Sequence, residues 1–332
     1  MNDTTPTVSV HRSEMPLPAR PGLLRVGTRG SALAVAQTTM VAEAIAAATG
    51  LDVILVLVTT HGDTSRAPLS QLGGTGVFVS ALRDALIDGE CDIAVHSLKD
   101  LPTGPCEGIV IGAIPERADA RDALCARNGL TLAGLPAGAR VGTGSPRRAA
   151  QLLARRPDLD VQDLRGNVDT RLARVDADLD AVVLACAGLD RLGRSSVITE
   201  RFSLEDAPTA PGQGALAIEV RAADALAEPY ATALAAIDDS ATRACALAER
   251  ALLAALEAGC AAPVGAHASI EDGRLTLSGH VYALDGGSRL TGTAAHDWHP
   301  GDSAAAEELG RVVAADLLAR GAAELAPLGA AR

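Results

Sequence analysis

A lysine and an aspartate stand side by side after a predicted strand, in the segment CDIAVHSLKDLPT. Residues 92–96 are predicted to form a buried strand, and Pro102 forbids a helix directly after it, so Lys99 and Asp100 occupy the turn between. Lys99 is the only lysine in the chain, which indicates that this position needs an ammonium rather than a guanidinium. A carboxylate at a strand's carboxyl end can stabilise positive charge that develops on a substrate. The alternative for the two residues is a surface ion pair.

Arginines accumulate between residues 140 and 174, although the whole chain carries a formal net charge of −12. In VGTGSPRRAAQL, a strand and a turn lead into a predicted helix with Ser145 as its N-cap and Pro146 in its first turn. Arg147 and Arg148 therefore begin this helix. Because cations are unfavourable at the positive end of a helix dipole, the pair favours an anion-binding site over a purely structural cap.

Two more arginines follow in VQDLRGNVDTRLARV, where Arg165 leaves a short strand and Arg171 lies in the next predicted helix. Arginine pairs with carboxylates in bidentate fashion, so separately anchored arginines suit a ligand that carries several carboxylates. The other arginines of this region are expected to be solvated; they are Arg155, Arg156 and Arg174.

The first third of the chain repeats the strand, turn and helix order, in LLRVGTRGSALAVAQTTMV. Arg29 and Ser31 fall at the turn, where open α/β sheets bind their ligands. The next strand, DVILVLV, is apolar throughout, as in a parallel sheet, and His61 and Asp63 after it are interpreted as structural turn residues. GGTGVFVSAL lacks the Lys-Ser/Thr pair of a nucleotide-binding P-loop.

Composition excludes several classes of protein. Aromatic residues make up 2% of the chain and the net charge is negative, which disfavours nucleic acid as a partner. No segment reaches the roughly 18 uninterrupted apolar residues of a membrane span, and residues 1–20 lack the pattern of a secretory signal, so we expect a cytoplasmic protein. The six cysteines include no C-x-x-C pair; we expect free thiols, no disulfides and no metal site.

Seven segments carry a family resemblance: RVGTRGSALAVAQT, HSLKDLPT, VGTGSPRRAAQL, DLRGNVDTRLARV, CAGLDRLG, APGQGALAIEVR and GCAAPVGAHA. In this order, over about residues 22 to 270, they resemble the porphobilinogen deaminase (hydroxymethylbilane synthase) family. The resemblance implies that Cys260 carries a dipyrromethane cofactor through a thioether. Without it, Cys260 in its Gly-Cys turn would be interpreted as a small buried residue. Cys125 and Cys186 in predicted strands and Cys245 in a helix are interpreted as core residues.

The resemblance also implies the reaction, in which four porphobilinogens are joined head to tail with release of ammonia, and water then frees the linear hydroxymethylbilane. Asp100, with Lys99, would be catalytic, because its carboxylate can hold pyrrole N–H groups and stabilise the developing positive charge. The implied cofactor-binding residues are Cys260, Arg147, Arg148, Lys99, Asp100, Ser145 and Thr143. The implied substrate-binding residues are Arg29, Ser31, Arg165, Arg171, Arg191 and Gln213.

One segment departs from the family. Its glycine-rich loop often has two lysines where this chain has Thr75 and Ser80. Since two cations near the substrate carboxylates are absent, we expect this loop to contribute less to substrate binding.

The expected fold class is α/β, with two similar doubly wound domains of the periplasmic-binding-protein-like kind around a cleft, as the resemblance implies, plus a small C-terminal α+β domain. Alternating segments with Asp-Gly and Gly-Gly turns after a helix at 241–259 favour antiparallel hairpins, closed by a last helix. The expected parts are a disordered tail (1–20), domain 1 (21–116 and 214–236), domain 2 (117–213) and domain 3 (237–332). No apolar patch for self-association is evident, so we expect a monomer.

Two other functions are consistent with parts of the sequence. A two-domain anion-binding transport protein would share the cleft and the arginines, but it would have no use for Cys260. A nucleotide or phosphosugar enzyme would use the Gly-Thr-Gly-Ser helix start for phosphate, but no metal or nucleotide fingerprint accompanies it.

Overall fold

The computed structural model describes residues 8–11, 17–58, 76–259 and 262–329. They belong to two compact units. The first unit contains the chain up to Glu116 together with Ala215–Arg243, and the second contains Arg117–Gly214 together with the chain from Ala244 onwards. The chain therefore leaves the first unit twice and returns to it once.

A six-stranded sheet forms the first unit. Its strands are β1 (Val8–His11), β2 (Leu23–Arg29), β3 (Asp52–Val58), β4 (Ile93–Ser97), β5 (Ile109–Ala113) and β11 (Leu216–Arg221). Their order is β1-β3-β2-β4-β11-β5, and β11 runs antiparallel to both of its neighbours. The expectation of a disordered tail is wrong for β1, because these four residues pair in parallel with the otherwise open edge of β3.

Helices cover this sheet; they are α1 (Ala32–Thr49), α2 (Gly76–Ile87) and α6 (Tyr230–Ala235). Ser31 is the N-cap of α1 and its Oγ accepts a hydrogen bond from the Ala34 N–H at 3.3 Å, while Gly50 ends the helix with φ at 73°, in the left-handed region that glycine tolerates. Among the described residues α1 is the one helix long and apolar enough to cross a membrane. Its buried face, which includes Val41 and Ile45, packs in the core of the unit, as expected of a core helix.

The second unit repeats this plan. Its strands are β6 (Asp122–Ala126), β7 (Arg140–Thr143), β8 (Asp160–Asp163), β9 (Ala181–Ala185) and β10 (Glu200–Arg201). In the first sheet the parallel strands β3-β2-β4 are followed by the antiparallel β11 and then β5; in the second, β8-β7-β9 are followed by the antiparallel β6 and then β10. The prediction of two similarly built α/β parts is confirmed.

Three helices connect the strands of the second sheet; they are α3 (Pro146–Arg155), α4 (Val168–Ala177) and α5 (Cys186–Arg191). Ser145 caps α3 and Pro146 is in its first turn, as predicted. Cys186 was predicted to lie in a strand, which is wrong: the strand ends at Ala185, and Cys186 begins α5. Its side chain is nevertheless fully buried, as the core interpretation requires.

The predicted small α+β part is present at the C-terminal end. It consists of the antiparallel strands β12 (Val264–Glu271), β13 (Arg274–Tyr282) and β14 (Arg289–Asp297), with helices α7 (Ser240–Ala255), α8 (Ser303–Ala319) and α9 (Ala322–Leu325). It has a hydrophobic core of its own, yet it packs into the same compact unit as the second sheet. At one contact Gly286 meets α3 so closely that a Cβ there would lie 2.5 Å from the Ala154 nitrogen.

Candidate active site

The turn after β4 presents Asp100 to solvent. Residues Leu98–Asp100 form a single turn of 3-10 helix. Leu98 is fully buried, its N–H donates to the Ala215 carbonyl at 3.1 Å, and the Leu101 N–H closes the turn on the Leu98 carbonyl at 3.1 Å. Because this leucine anchors the turn in the core, the half-buried Lys99 and the exposed Asp100 are held at its surface.

The other predicted residues of the first unit lie at the end of β2. Arg29 is the last residue of that strand and is half-buried, and Ser31 caps the helix that follows. Behind them, the buried Thr28 accepts a hydrogen bond from the Thr38 hydroxyl at 2.8 Å, which ties the strand end to α1. The turn is therefore positioned by a strand and a capped helix, as the sequence predicts.

In the second unit Arg147 and Arg148 are buried and share one carboxylate, that of Asp122 at the start of β6. Arg148 donates to Asp122 Oδ1 from Nε at 3.0 Å and from Nη2 at 2.6 Å, and Arg147 Nη2 lies 2.8 Å from Asp122 Oδ2. Gln213 donates from Nε2 to the same Oδ1 at 2.8 Å and is itself buried. The anion expected beside these two arginines is thus supplied in part by the chain itself.

The charges of this cluster do not cancel. Burial alone would raise the pKa of Asp122, but Arg147 and Arg148 hold it well below its usual range. Burial lowers the pKa of Arg147, against the attraction of Asp122. Two guanidiniums against one carboxylate leave an excess positive charge in a buried place, which a further anion would stabilise.

Thr143 and Ser145 line the turn that leads to these arginines. Thr143 is buried and its Oγ1 accepts a hydrogen bond from the Ser145 N–H at 3.3 Å. Ser145 Oγ accepts from the Arg148 N–H at 3.4 Å. Both hydroxyls therefore organise the start of α3.

The residues Arg165 and Arg171 lie on the neighbouring loop and helix. Arg165 is exposed, and within the described ranges its side chain makes one polar contact, a long one of 3.4 Å between its Nε and Asp163 Oδ2. Arg171 Nε donates to the Gly166 carbonyl at 2.7 Å, which folds its side chain back over the loop. Arg165 is thus the more accessible cation of the two.

One N–H donor of the Arg191 guanidinium lacks an acceptor among the described residues. Its Nη2 donates to the Gly214 carbonyl at 2.7 Å, whereas its Nε is buried without a partner among the residues that the structure describes. Burial lowers the pKa of Arg191, and Asp190 only partly opposes this. A half-buried cation whose buried Nε has a spare N–H suits an anionic ligand.

The three arginines expected to be solvated differ from one another. Arg174 forms an exposed ion pair with Asp178, and Arg155 lies over the Phe202 ring, 5.1 Å from its centroid. For Arg156 the expectation is wrong: it donates to the carbonyls of Leu132 and Leu135 at 2.8 and 3.1 Å. It therefore holds the loop that contains Leu132 and Leu135.

Four residues of interest lie outside the residues that the structure describes, namely Cys260, Thr75, His61 and Asp63. On either side of the cysteine, the Ala262 N–H donates to the Gly259 carbonyl at 3.0 Å and the Tyr282 N–H to the Pro263 carbonyl at 3.1 Å. Within the described chain no group of three His, Cys, Asp or Glu side chains could hold a metal ion.

The remaining cysteines are free thiols, and four of them are buried. Burial raises the pKa of Cys91 and of Cys186 to about 12, and that of Cys125 to about 11. Such thiols stay protonated and unreactive near neutral pH. Cys125 in β6 and Cys245 in α7 lie in the hydrophobic cores, so their interpretation as core residues is confirmed.

Sequence reasoning missed Asp122, the residue on which the arginine cluster is built. The available signal was weak: one acid at the start of the otherwise apolar strand DALCA. Gln213 was predicted as a substrate contact. The structure places it against Asp122 and Arg148, and its Oε1 accepts a hydrogen bond from Arg148 Nη2 at 3.3 Å.

Comparison with known proteins finds two family models in the chain. Residues 24–228 match the model described as porphobilinogen deaminase, dipyrromethane cofactor binding domain, and residues 243–319 match the C-terminal domain of the same family. A protein named porphobilinogen deaminase from Leifsonia xyli is 63% identical over 95% of this chain and 98% of its own length. Another of that name from Micrococcus luteus is 54% identical over 86% of each chain. Among solved structures, the methionine-binding protein MetQ matches 66% of this chain and 91% of its own at 14% identity, with a TM-score of 0.44.

Proposed function

The chain belongs to the porphobilinogen deaminase family, and from this premise we propose which of its residues perform each part of the family's reaction. It is a transferase that joins four porphobilinogens head to tail with release of ammonia and hydrolyses the product to hydroxymethylbilane. The dipyrromethane cofactor, when bound, supplies the pyrrole carbon to which the first substrate is joined.

Asp100 is the residue that stabilises the reacting substrate. As ammonia leaves, positive charge spreads over the pyrrole ring, and a carboxylate beside the ring N–H lowers the energy of that state. The observation that supports this role is the exposed position of Asp100 on a turn that Leu98 anchors in the core. Lys99, the only lysine of the chain, provides an adjacent ammonium for a carboxylate of the substrate or cofactor.

Arginines of two kinds hold the carboxylates, since each pyrrole brings an acetate and a propionate. The cluster of Arg147 and Arg148 carries an excess positive charge in a buried place, which fits a cofactor that carries carboxylates, with Thr143 and Ser145 as supporting contacts. The exposed Arg165 and the spare Nε of Arg191 fit the substrate chain as it grows. Arg29, Ser31, Arg171 and Gln213 complete the set.

Cys260 is the attachment point of the cofactor. The buried thiols Cys91, Cys125 and Cys186 have strongly raised pKa values, so they are poor candidates for covalent chemistry. The test is the intact mass of the purified protein beside Cys260→Ala and, as a matched control, Cys106→Ala at a half-buried cysteine. A mass excess of two linked pyrrole units is expected in the wild type and in Cys106→Ala and is expected to be lost in Cys260→Ala.

An unmodified wild-type chain that still gains no adduct after incubation with porphobilinogen would contradict the proposal. An adduct that survives in Cys260→Ala would move the attachment to another cysteine and leave the reaction in place. The two results therefore separate the chemistry from the residue that carries it.

The state and location of the protein are part of the proposal. We propose a cytoplasmic monomer that binds neither nucleic acid nor membranes. The net charge of −12 and 2% aromatic content support the lack of nucleic-acid binding, and free thiols at the described cysteines suit a reducing compartment. Light scattering during gel filtration tests the monomer: a mass near 33.6 kDa is expected, and a doubled mass would contradict it.

A further inference from the structure

A cluster of three charged or polar side chains, two of them buried, lies at the end of β4. Glu219 on β11 is 2% exposed and His96 on β4 is 7% exposed. Arg83 of α2 donates to both Glu219 oxygens, with Nη2–Oε1 at 2.7 Å and Nε–Oε2 at 3.1 Å. His96 Nε2 lies 3.2 Å from Glu219 Oε2, within ion-pair distance but without the geometry of a hydrogen bond. One carboxylate is thus in contact with a strand, its neighbour and a helix.

The Glu219 carboxylate is ionised in this cluster. Burial opposes ionisation of Glu219, yet its contacts with His96 and Arg83 lower its pKa to about 2. Buried ion pairs can often be replaced by apolar side chains of similar volume without loss of stability. The hydrogen bonds from Arg83 to Glu219 supply direction, because charge-assisted hydrogen bonds fix the relative position of the groups they join. His96 is in contact with the carboxylate that they fix.

Beyond this cluster the chain continues straight into the catalytic turn. His96 is followed by Ser97, which pairs with Leu216 of β11, and the Leu98 N–H donates to the Ala215 carbonyl. The end of β4 and the residue after it are therefore bonded to β11 and to the residue before β11 at three successive positions: His96, Ser97 and Leu98. At His96 the backbone pairing with Ala217 is supplemented by the side-chain contact with Glu219, and substitution can remove this second contact.

The opposite end of the same strand has a separate ion pair. Asp92, which directly precedes β4, accepts from Arg25 Nε at 3.1 Å and Nη2 at 2.6 Å, and both residues are buried. Each end of β4 is thus fastened by one buried carboxylate. Only the cluster at His96 adjoins the turn that carries Asp100.

We propose that His96, held by Glu219 and Arg83, is a positioning residue that fixes the turn of Lys99 and Asp100 for catalysis. The inference rests on the function proposed above for Asp100. His96 does not touch substrate; it acts through the backbone of Ser97 and Leu98. Displacements of about 1 Å at a reacting group can cost about 100-fold in rate, so a modest shift of the turn has a large effect on kcat.

The test compares His96→Leu with His96→Gln in the full-length, cofactor-loaded enzyme. Leucine removes the contact with Glu219, whereas the glutamine amide nitrogen takes the place of Nε2 and keeps it. We expect His96→Leu to lower kcat about 10- to 100-fold with KM for porphobilinogen changed by less than about 3-fold, and His96→Gln to recover most of kcat. Cofactor loading of each variant is checked by intact mass.

Arg25→Lys is the matched control, because it weakens the other buried ion pair of β4 while leaving His96 untouched. It is expected to lower the unfolding midpoint with little change in kcat. Equal losses of kcat in His96→Leu and Arg25→Lys, or an unchanged kcat in His96→Leu, would overturn the proposal. If His96→Leu does not fold, Arg83→Lys, which loses the two-point contact with Glu219, must lower kcat for the proposal to stand.

Asp100→Asn separates this inference from the function on which it depends. Loss of activity in Asp100→Asn with normal activity in His96→Leu would refute the positioning role alone. Normal activity in Asp100→Asn would refute the catalytic role of Asp100 and, with it, the reason for positioning the turn.

Discussion

Replacing Asp122 by asparagine tests how the arginine cluster is held together. Asp122 is 1% exposed and accepts three hydrogen bonds at Oδ1, from two nitrogens of Arg148 and from Gln213. Its Oδ2 lies 2.8 Å from Arg147 Nη2. In Asp122→Asn the Oδ1 acceptor remains, but an amide N–H₂ group meets the Arg147 donor, and two buried cations lose their only counter-charge within the cluster.

Breaking a buried ion pair by removing one partner costs about 3–5 kcal/mol. With an m-value of about 2 kcal/mol per molar urea, the unfolding midpoint should fall by about 2 M. The single tryptophan of the chain, Trp298, packs against the core of the C-terminal part in the same compact unit as Asp122. Its fluorescence in urea therefore reports the unfolding of the unit that contains the cluster.

Glu308→Gln is the matched control, because Glu308 pairs with Arg311 on the exposed side of α8 and should leave the midpoint unchanged. A midpoint of Asp122→Asn equal to that of the control would refute the reasoning. The pH dependence gives a second criterion. Since the pKa of Asp122 is lower in the folded than in the unfolded chain, its contribution is present above about pH 4 and is lost as the pH falls below that value. The difference between wild type and variant should therefore be constant from pH 5 to 8 and shrink in acid.

Four further outcomes are expected. The fully buried Glu249 carboxylate accepts from Arg117 at 2.7 Å and from two backbone N–H groups. Glu249→Gln should therefore lower the urea midpoint of Trp298 fluorescence by an amount that corresponds to about 3–5 kcal/mol. An unchanged midpoint would contradict this. Burial lowers the pKa of His280 to about 4. Between pH 6.5 and 4 the unfolded chain therefore takes up a proton that the folded chain does not, and His280 should reduce stability by about 3 kcal/mol. Urea titrations should show a loss of stability that is smaller by this amount in His280→Gln than in the wild type, and an equal loss in both would contradict this. Arg165→Ala should raise KM for porphobilinogen several-fold with kcat and the midpoint nearly unchanged, since the side chain is exposed; an unchanged KM would exclude Arg165 as a carboxylate contact. Thr75→Ala should leave KM nearly unchanged, and a large rise would show that the loop binds substrate despite lacking the family's lysines.

Local signals in the sequence were sufficient for the elements that carry the site. The strand, turn and capped helix at Ser31 and at Ser145 were predicted because N-caps and glycine turns act within a few residues of the groups they satisfy. The same holds for the strand that ends before Lys99 and Asp100, since Pro102 and a short apolar run define it. The resemblance of seven segments to one family then identified the reaction, and the family comparisons confirmed it.

Tertiary structure alone decided which charges meet. Asp122 and Arg148 are 26 residues apart, and Glu219 and Arg83 are 136 residues apart. An acidic residue in an apolar strand predicts that a cationic or hydrogen-bonding partner is needed. The identity of that partner depends on strand order and helix packing, which no local pattern encodes. For the same reason the pairing of β1 with β3 and the loop contacts of Arg156 were not foreseen: both depend on backbone groups that become neighbours only when the chain is folded. The sequence alone thus determined the reaction and the local form of its turns, whereas the fold decided that Asp122 holds the two arginines and that Glu219 holds the strand end before Asp100.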